Sequence, residues 1–159
     1  MYGVYSLTRR FQPRELYTPY IINPVADHSP LKCYVAMMHP MPPIEELRRF
    51  EGDAIAQVRL DPYAVQFAME SMWTIVAELR VEHVEPDGTV WTYDCEAASG
   101  PPVALHRLLY KRIATVQRDE LRIVFGIEDG SQLILHTELG PYESGNISAP
   151  EMKDCFIVF

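Results

Sequence analysis

Cysteine is scarce in this sequence. Three residues, Cys33, Cys95 and Cys155, stand among 159. The count is odd and no CxxC spacing occurs, which argues against a disulfide framework and against a zinc site. The thiols read as reduced, in a cytoplasmic protein. No apolar run reaches the roughly 18 residues of a membrane-crossing helix, so a membrane is not expected as a partner. The opening residues, MYGVYSLTRRFQPREL, hold no apolar stretch of signal-peptide length, and no secretion signal is expected. Glycine is limited to eight residues, none clustered into a phosphate cradle. No GxGxxG, P-loop or HExxH pattern is present, so no cofactor is expected. Positive charge is also short: 14 Lys and Arg face 22 Asp and Glu, a net of -8. The imbalance lies in the body of the chain. Residues 1–42 carry four basic and two acidic side chains, while the other 117 residues carry 10 basic and 20 acidic. A body of that sign repels phosphate backbones, which argues against nucleic acid as a partner. It attracts a basic protein, although most acidic proteins carry such charge only for solubility.

What remains is ordinary globular composition, 48% hydrophobic and 23% charged. The length suits one domain, or two very small ones. Residues 1–42 stand apart, with six of the thirteen prolines and five of the nine tyrosines. Outside a short strand-like run at Leu31 to Met38, neither helical nor strand periodicity lasts there. The segment reads as an extended arm laid along a surface, its tyrosines anchoring it to the body or to a second subunit, or else as disorder. A duller reading is that translation starts at Met37, Met38 or Met41.

The body begins at PPIEELRRFEG. Pro43 suits a first helical turn, Glu45 and Glu46 favour its positive end, and Gly52 stops it. A short helix is predicted over 43–50. Ile55, Val58 and Leu60 mark a strand, and Asp61-Pro62 a turn. Tyr63, Val65, Phe67 and Met69 alternate with period 2. WTIVAELRVE reads as one long strand, EPDG as a turn and TVWTYD as another strand. Then the pattern restarts: PPVALHRLL as a helix, RIATVQ and LRIVFGIE as strands, DG as a hairpin turn, and SQLILHTE as the returning strand. The segment LGPYESGNISAPEMKD is turn-rich, with a short strand at 142–147. CFIVF closes the chain as an apolar strand, with Cys155 in the core.

Aligning 43–80 with 101–138 needs no gap and gives nine identities, among them Ile55/Ile113, Val58/Val116, Asp61/Asp119 and Phe67/Phe125. Chance predicts two or three. The fold class expected is therefore α+β and β-dominated. Two tandem repeats of a helix plus antiparallel strands, about 43–100 and 101–159, form one domain. They pack pseudo-symmetrically as a sandwich or a partly closed barrel, since one unit alone cannot cover its apolar face. In hydrophobic pattern and in the FGIEDGSQLIL hairpin, residues 44–159 resemble small bacterial β-rich domains of unknown function. Some of those resemble toxin-immunity proteins. The resemblance implies binding and inhibition of a partner, and it carries no site residues.

No residue set forms a catalytic signature. His136 and Glu138 share one face of a strand, and with Glu143 they are candidates for a metal or acid–base site. The plainer reading is a solvated strand face, and no metal is expected. Cys95 lies between Asp94 and Glu96, which disfavours an activated thiolate, so pairing with His106 is not expected. Trp73 and Trp91 are candidate interface anchors, with core packing as the commoner role. Three functions follow: a protein-binding module of immunity or inhibitory type for a basic partner, a self-assembling module dimerised through its arm, and an enzyme or ligand-binding protein with a site between the repeats.

Overall fold

A computed structural model of the chain describes residues 41–139, 142–152 and 156–159. The predicted arm, except its last two residues, lies outside that set, as do its Leu31–Met38 strand, Cys33 and Cys155.

Each half opens with a short helix. Helix α1 spans Ile44–Leu47 and tightens into a 3-10 turn at Arg48–Phe50, which places Leu47 and Phe50 in the core. Strands β1 (Ile55–Asp61) and β2 (Ala64–Met69) form a hairpin. On β2 the alternation buries Val65, Phe67 and Met69, while Tyr63 stays 63% exposed in the turn. Strand β3 (Thr74–Ala77) follows, then β4 (Arg80–Val84) and β5 (Val90–Asp94). Helix α2 (Pro102–His106) opens the second half. It leads to β6 (Ile113–Arg118), β7 (Arg122–Ile127), β8 (Gln132–His136), β9 (Gly145–Ser148) and β10 (Ile157–Val158).

The strands make two five-stranded antiparallel sheets. Sheet 1 runs β1-β2-β3-β9-β10 and sheet 2 runs β5-β4-β8-β7-β6. Each sheet thus takes three strands from one half of the chain and two from the other. Neither sheet closes on itself among the described residues, so no closed barrel is formed.

The predicted long strand over WTIVAELRVE is two strands in different sheets. The chain leaves β3 at Ala77 and enters β4 at Arg80, with Glu78 and Leu79 as the link. Glu78 N–H donates to Ser144 O and Leu79 O accepts from Cys95 N–H, so the bend stays hydrogen-bonded on both sides. Ile75, Ala77, Val81 and His83 are all buried, so inward alternation continues straight through the corner. Period-2 reading follows which side faces inward, and that side does not change here. The short strand predicted over 142–147 is found slightly later, as β9.

Residues of both sheets and both helical segments share one buried cluster. Phe50 is at its centre, edge-on to Phe125 at 5.8 Å and to Trp73 at 6.2 Å. Burying an aromatic or aliphatic side chain of this kind contributes about 1.5–3 kcal/mol. A cleft lined by charged side chains opens at one end of sheet 2.

Candidate functional site

The ladder of sheet 2 sets a row of polar residues across its end. Arg80 on β4 lies opposite Asp94 on β5 and opposite His136 on β8. His136 in turn lies opposite Arg122 on β7. Directly opposed residues project from the same face, so strand register alone lines up Asp94, Arg80, His136 and Arg122. The turn between β6 and β7 completes the row. Asp119 accepts from Leu121 N–H at 2.9 Å and from Arg122 Nη2 at 2.6 Å. Thr137 N–H donates to Leu121 O at 2.8 Å, which ties this turn to the end of β8.

These residues, with Leu79, Glu96 and Glu120, line an open cleft of about 800 Å³. That is the size of a ligand-binding cleft. Leu121 is 44% exposed on its wall. Four carboxylates, Asp94, Glu96, Asp119 and Glu120, face two guanidinium groups, Arg80 and Arg122. Arg122 holds the Asp119 carboxyl below the usual range, assisted by the Leu121 N–H. Asp94 is partly engaged as well, since Oδ1 accepts from Ala97 N–H at 2.7 Å. No hydrogen bond or ion pair engages the Glu96 or Glu120 side chain among the described residues.

His136 forms the floor. Arg80 Nη2 lies 2.9 Å from Nδ1. An arginine can only donate, so Nδ1 accepts and the ring proton sits on Nε2. Nε2 is enclosed and lies 3.2 Å from Glu82 Oε2, out of hydrogen-bond alignment. Both nitrogens face protein groups, and neither is presented to the cleft as a base or metal ligand.

The structure separates the predicted trio. Glu138 uses its backbone N–H to donate to Ser144 Oγ at 3.1 Å, and its residue is exposed. Glu143 faces Glu78, whose carboxyl is raised first by burial and then by the Glu143 charge. Among the described residues, no three His, Cys, Asp or Glu side chains are placed to hold a metal ion. Trp73 is half-buried against the core, with the Arg49 guanidinium 4.3 Å from its ring centre. Trp91 is half-buried on β5, with Arg107 at 5.7 Å. Cys95 is buried, and burial, followed by the Asp94 and Glu78 charges, pushes its thiol up to about 11.

Sequence reasoning found His136 and missed its neighbours. Arg80, Glu82, Asp94, Asp119 and Arg122 come from three strands and a turn, and no spacing links them. The one available signal was the charged run RDELR at Arg118–Arg122, which reads only as a turn.

Comparison with protein families, with curated proteins and with solved structures finds no match to this chain. Among the described residues no helix is long and apolar enough to cross a membrane.

Proposed function

We propose that this chain is a non-enzymatic protein-binding module that takes a basic element of a partner protein into the cleft at the end of sheet 2. The charge of that cleft carries the reading. Both guanidinium groups already have partners inside the wall, which leaves Glu96 and Glu120 available to cations from outside. Leu121 and Leu79 supply apolar contact for the stem of an arginine or lysine. An immunity-type or inhibitory action is the sharpest form of the reading. A basic toxin would be captured quickly and in a salt-sensitive manner by such a body. The state of His136 and the raised Cys95 thiol support a binding role over catalysis.

The chain also reads as an internal duplication with a two-fold relation between its halves. The support is a constant offset of 58 residues. Ile55 pairs with Met69 as Ile113 pairs with Ile127, and both β1 and β6 carry a bulge after that pair. Phe67 pairs with Ile75 as Phe125 pairs with Leu133. The bridge between Ala54 and Arg112 joins the two equivalent positions. Gly52 N–H donates to Ile113 O as Tyr110 N–H donates to Ile55 O. On this reading the cleft occurs once per chain, at the end of sheet 2, and among the described residues has no counterpart at the equivalent end of sheet 1. Ala64 stands where Arg122 stands, Glu78 where His136 stands and Pro62 where Glu120 stands, so one partner binds per chain.

Capture from native cells tests the proposal, using wild type beside the double variant Glu96→Gln/Glu120→Gln at low and high salt. A basic protein held by wild type at low salt, and lost both in the variant and at high salt, is the expected result. Equal capture by both forms would remove the cleft from binding.

A further inference from the structure

The inner face of sheet 2 holds a buried histidine that neither the cleft nor the core requires. His83 on β4 is 0% exposed. Its Nδ1 lies 3.0 Å from Ala104 O on α2, so Nδ1–H donates to that carbonyl and Nε2 carries the lone pair. Nε2 has no hydrogen-bond partner. Its nearest counter-charge is Glu85 Oε2 at 4.0 Å.

Each element packed around the ring contributes. Strand β5 presents Trp91, directly opposite His83, with its indole N–H enclosed and near enough to the Glu85 carboxylate to help hold that group ionised. Strand β8 presents Leu133, which has no charge. Glu85, just beyond β4, is ion-paired with Arg107 of the turn after α2. Lys111 and Asp129, paired with each other, act on the ring with opposite signs. Enclosure is the largest influence on the ring's protonation state. Burial pushes the ring below the ordinary histidine range, with Glu85, the Ala104 carbonyl and Asp129 opposing and Lys111 reinforcing.

The matching corner of sheet 1 is apolar. Ile147 opposes Ile75 on β3 as His83 opposes Leu133 on β8. Ile157 opposes Ile147 as Trp91 opposes His83. An aliphatic side chain therefore fills this type of position, and the histidine adds sensitivity to protons rather than packing.

We propose that His83 is an acid-operated latch that holds α2 on sheet 2 while its ring is neutral and releases the α2–β4–β5 corner as the pH falls. In the closed corner a proton on Nε2 would be enclosed without a hydrogen-bond acceptor. In the opened corner the ring takes up a proton in the ordinary range, near pH 6.5. The open form therefore binds more protons. The latch is fully held above about pH 6.5, and below that the open population grows by up to about tenfold per pH unit. Strand β5 also carries Asp94 of the cleft wall, so the opening reaches the cleft.

Amide hydrogen exchange, corrected for intrinsic rate, tests this between about pH 7.5 and about pH 5.5, the range where histidine changes charge. Amides of Tyr93, Ala104, Arg107 and Leu108 are expected to lose protection by up to about tenfold, and those of Ile147 and Ile157 to keep it. His83→Ile, which copies the sheet 1 corner, is expected to abolish the difference. Equal loss at both corners, or an unchanged difference in the variant, would overturn the latch. A second measurement needs no variant. The His83 ring resonances of wild type are expected to stay at their neutral positions at the pH where a free histidine peptide is half protonated. Titration in step with that peptide would overturn the proposal.

Discussion

Met72 has a φ of +72° and Tyr110 a φ of +62°, in the left-handed region where side chains are strained. Fifty-eight residues away, their counterparts are glycines, Gly130 at +88° and Gly52 at +85°. Met72 and Tyr110 are 66% and 75% exposed, so their side chains contribute little packing. Met72→Gly and Tyr110→Gly are each expected to stabilise the fold by about 0.5–1 kcal/mol, after the extra chain entropy of glycine is offset. Urea unfolding midpoints check this, and a lower midpoint in both variants would contradict it. Cys95 makes a second prediction at this scale. Its thiol, raised to about 11 and enclosed, holds very little thiolate at neutral pH. In a Cys33→Ser/Cys155→Ser background it is expected to react with iodoacetamide far more slowly in the folded than in the denatured protein. Equal rates would show an open site. The Asp94 charge that helps raise the Cys95 thiol was readable in sequence, while burial, the larger cause, was not. The left-handed residues were not, because a turn that requires positive φ need not contain glycine.

At the scale of elements, β9 depends on one glycine. A Cβ on Gly145 would meet Val76 O and the Phe159 ring. Gly145→Ala is therefore expected to cost about 1–3 kcal/mol, since the first contact is backbone and cannot turn away. Gly126→Ala would meet only the Thr115 hydroxyl, and Ala68 already occupies the corresponding place in β2, so a smaller loss is expected. Equal losses in thermal unfolding would contradict this account of β9. The turn pairs give a related prediction. Asp53 accepts from the Ser71 hydroxyl, while at the equivalent positions Lys111 pairs with Asp129. Partial burial alone would raise the Asp129 carboxyl. The Lys111 ammonium and the Ser131 hydroxyl and N–H more than offset this and hold it well below the usual range. Its stabilising contribution is then present above about pH 3.9 and lost as the pH falls below that. Lys111→Asp alone is expected to cost about 1 kcal/mol, and adding Asp129→Ser to recover most of it, which a double-mutant cycle measures. Hairpins and helix starts were legible because turn residues and alternation announce them. The corner at Glu78–Leu79 was not, because the inward face continues through it.

At the scale of the molecule, a β-dominated fold followed from strand count and apolar alternation, which left a sandwich and a partly closed barrel both open, and the exchange of β4–β5 and β9–β10 between sheets did not follow. That exchange builds the cleft. Leu79, Arg80, Asp94 and Glu96 come from the first half of the chain, and Asp119–Arg122, His136 and Thr137 from the second. Local pattern cannot show which strands become neighbours over such separations, so a site made by pairing was legible only at His136. The acidic excess of the body was legible in composition. The most direct test of the account is a titration of isotope-labelled protein with a tetra-arginine peptide, followed by amide chemical shifts. Shifts centred on Leu79–Arg80, Asp94–Glu96, Asp119–Arg122 and His136–Thr137 are predicted. They should be lost in Glu96→Gln/Glu120→Gln and at about 1 M salt, where the Debye length shrinks to about 3 Å. Shifts scattered over the acidic surface, or the same shifts in the variant, would contradict a binding cleft at the end of sheet 2.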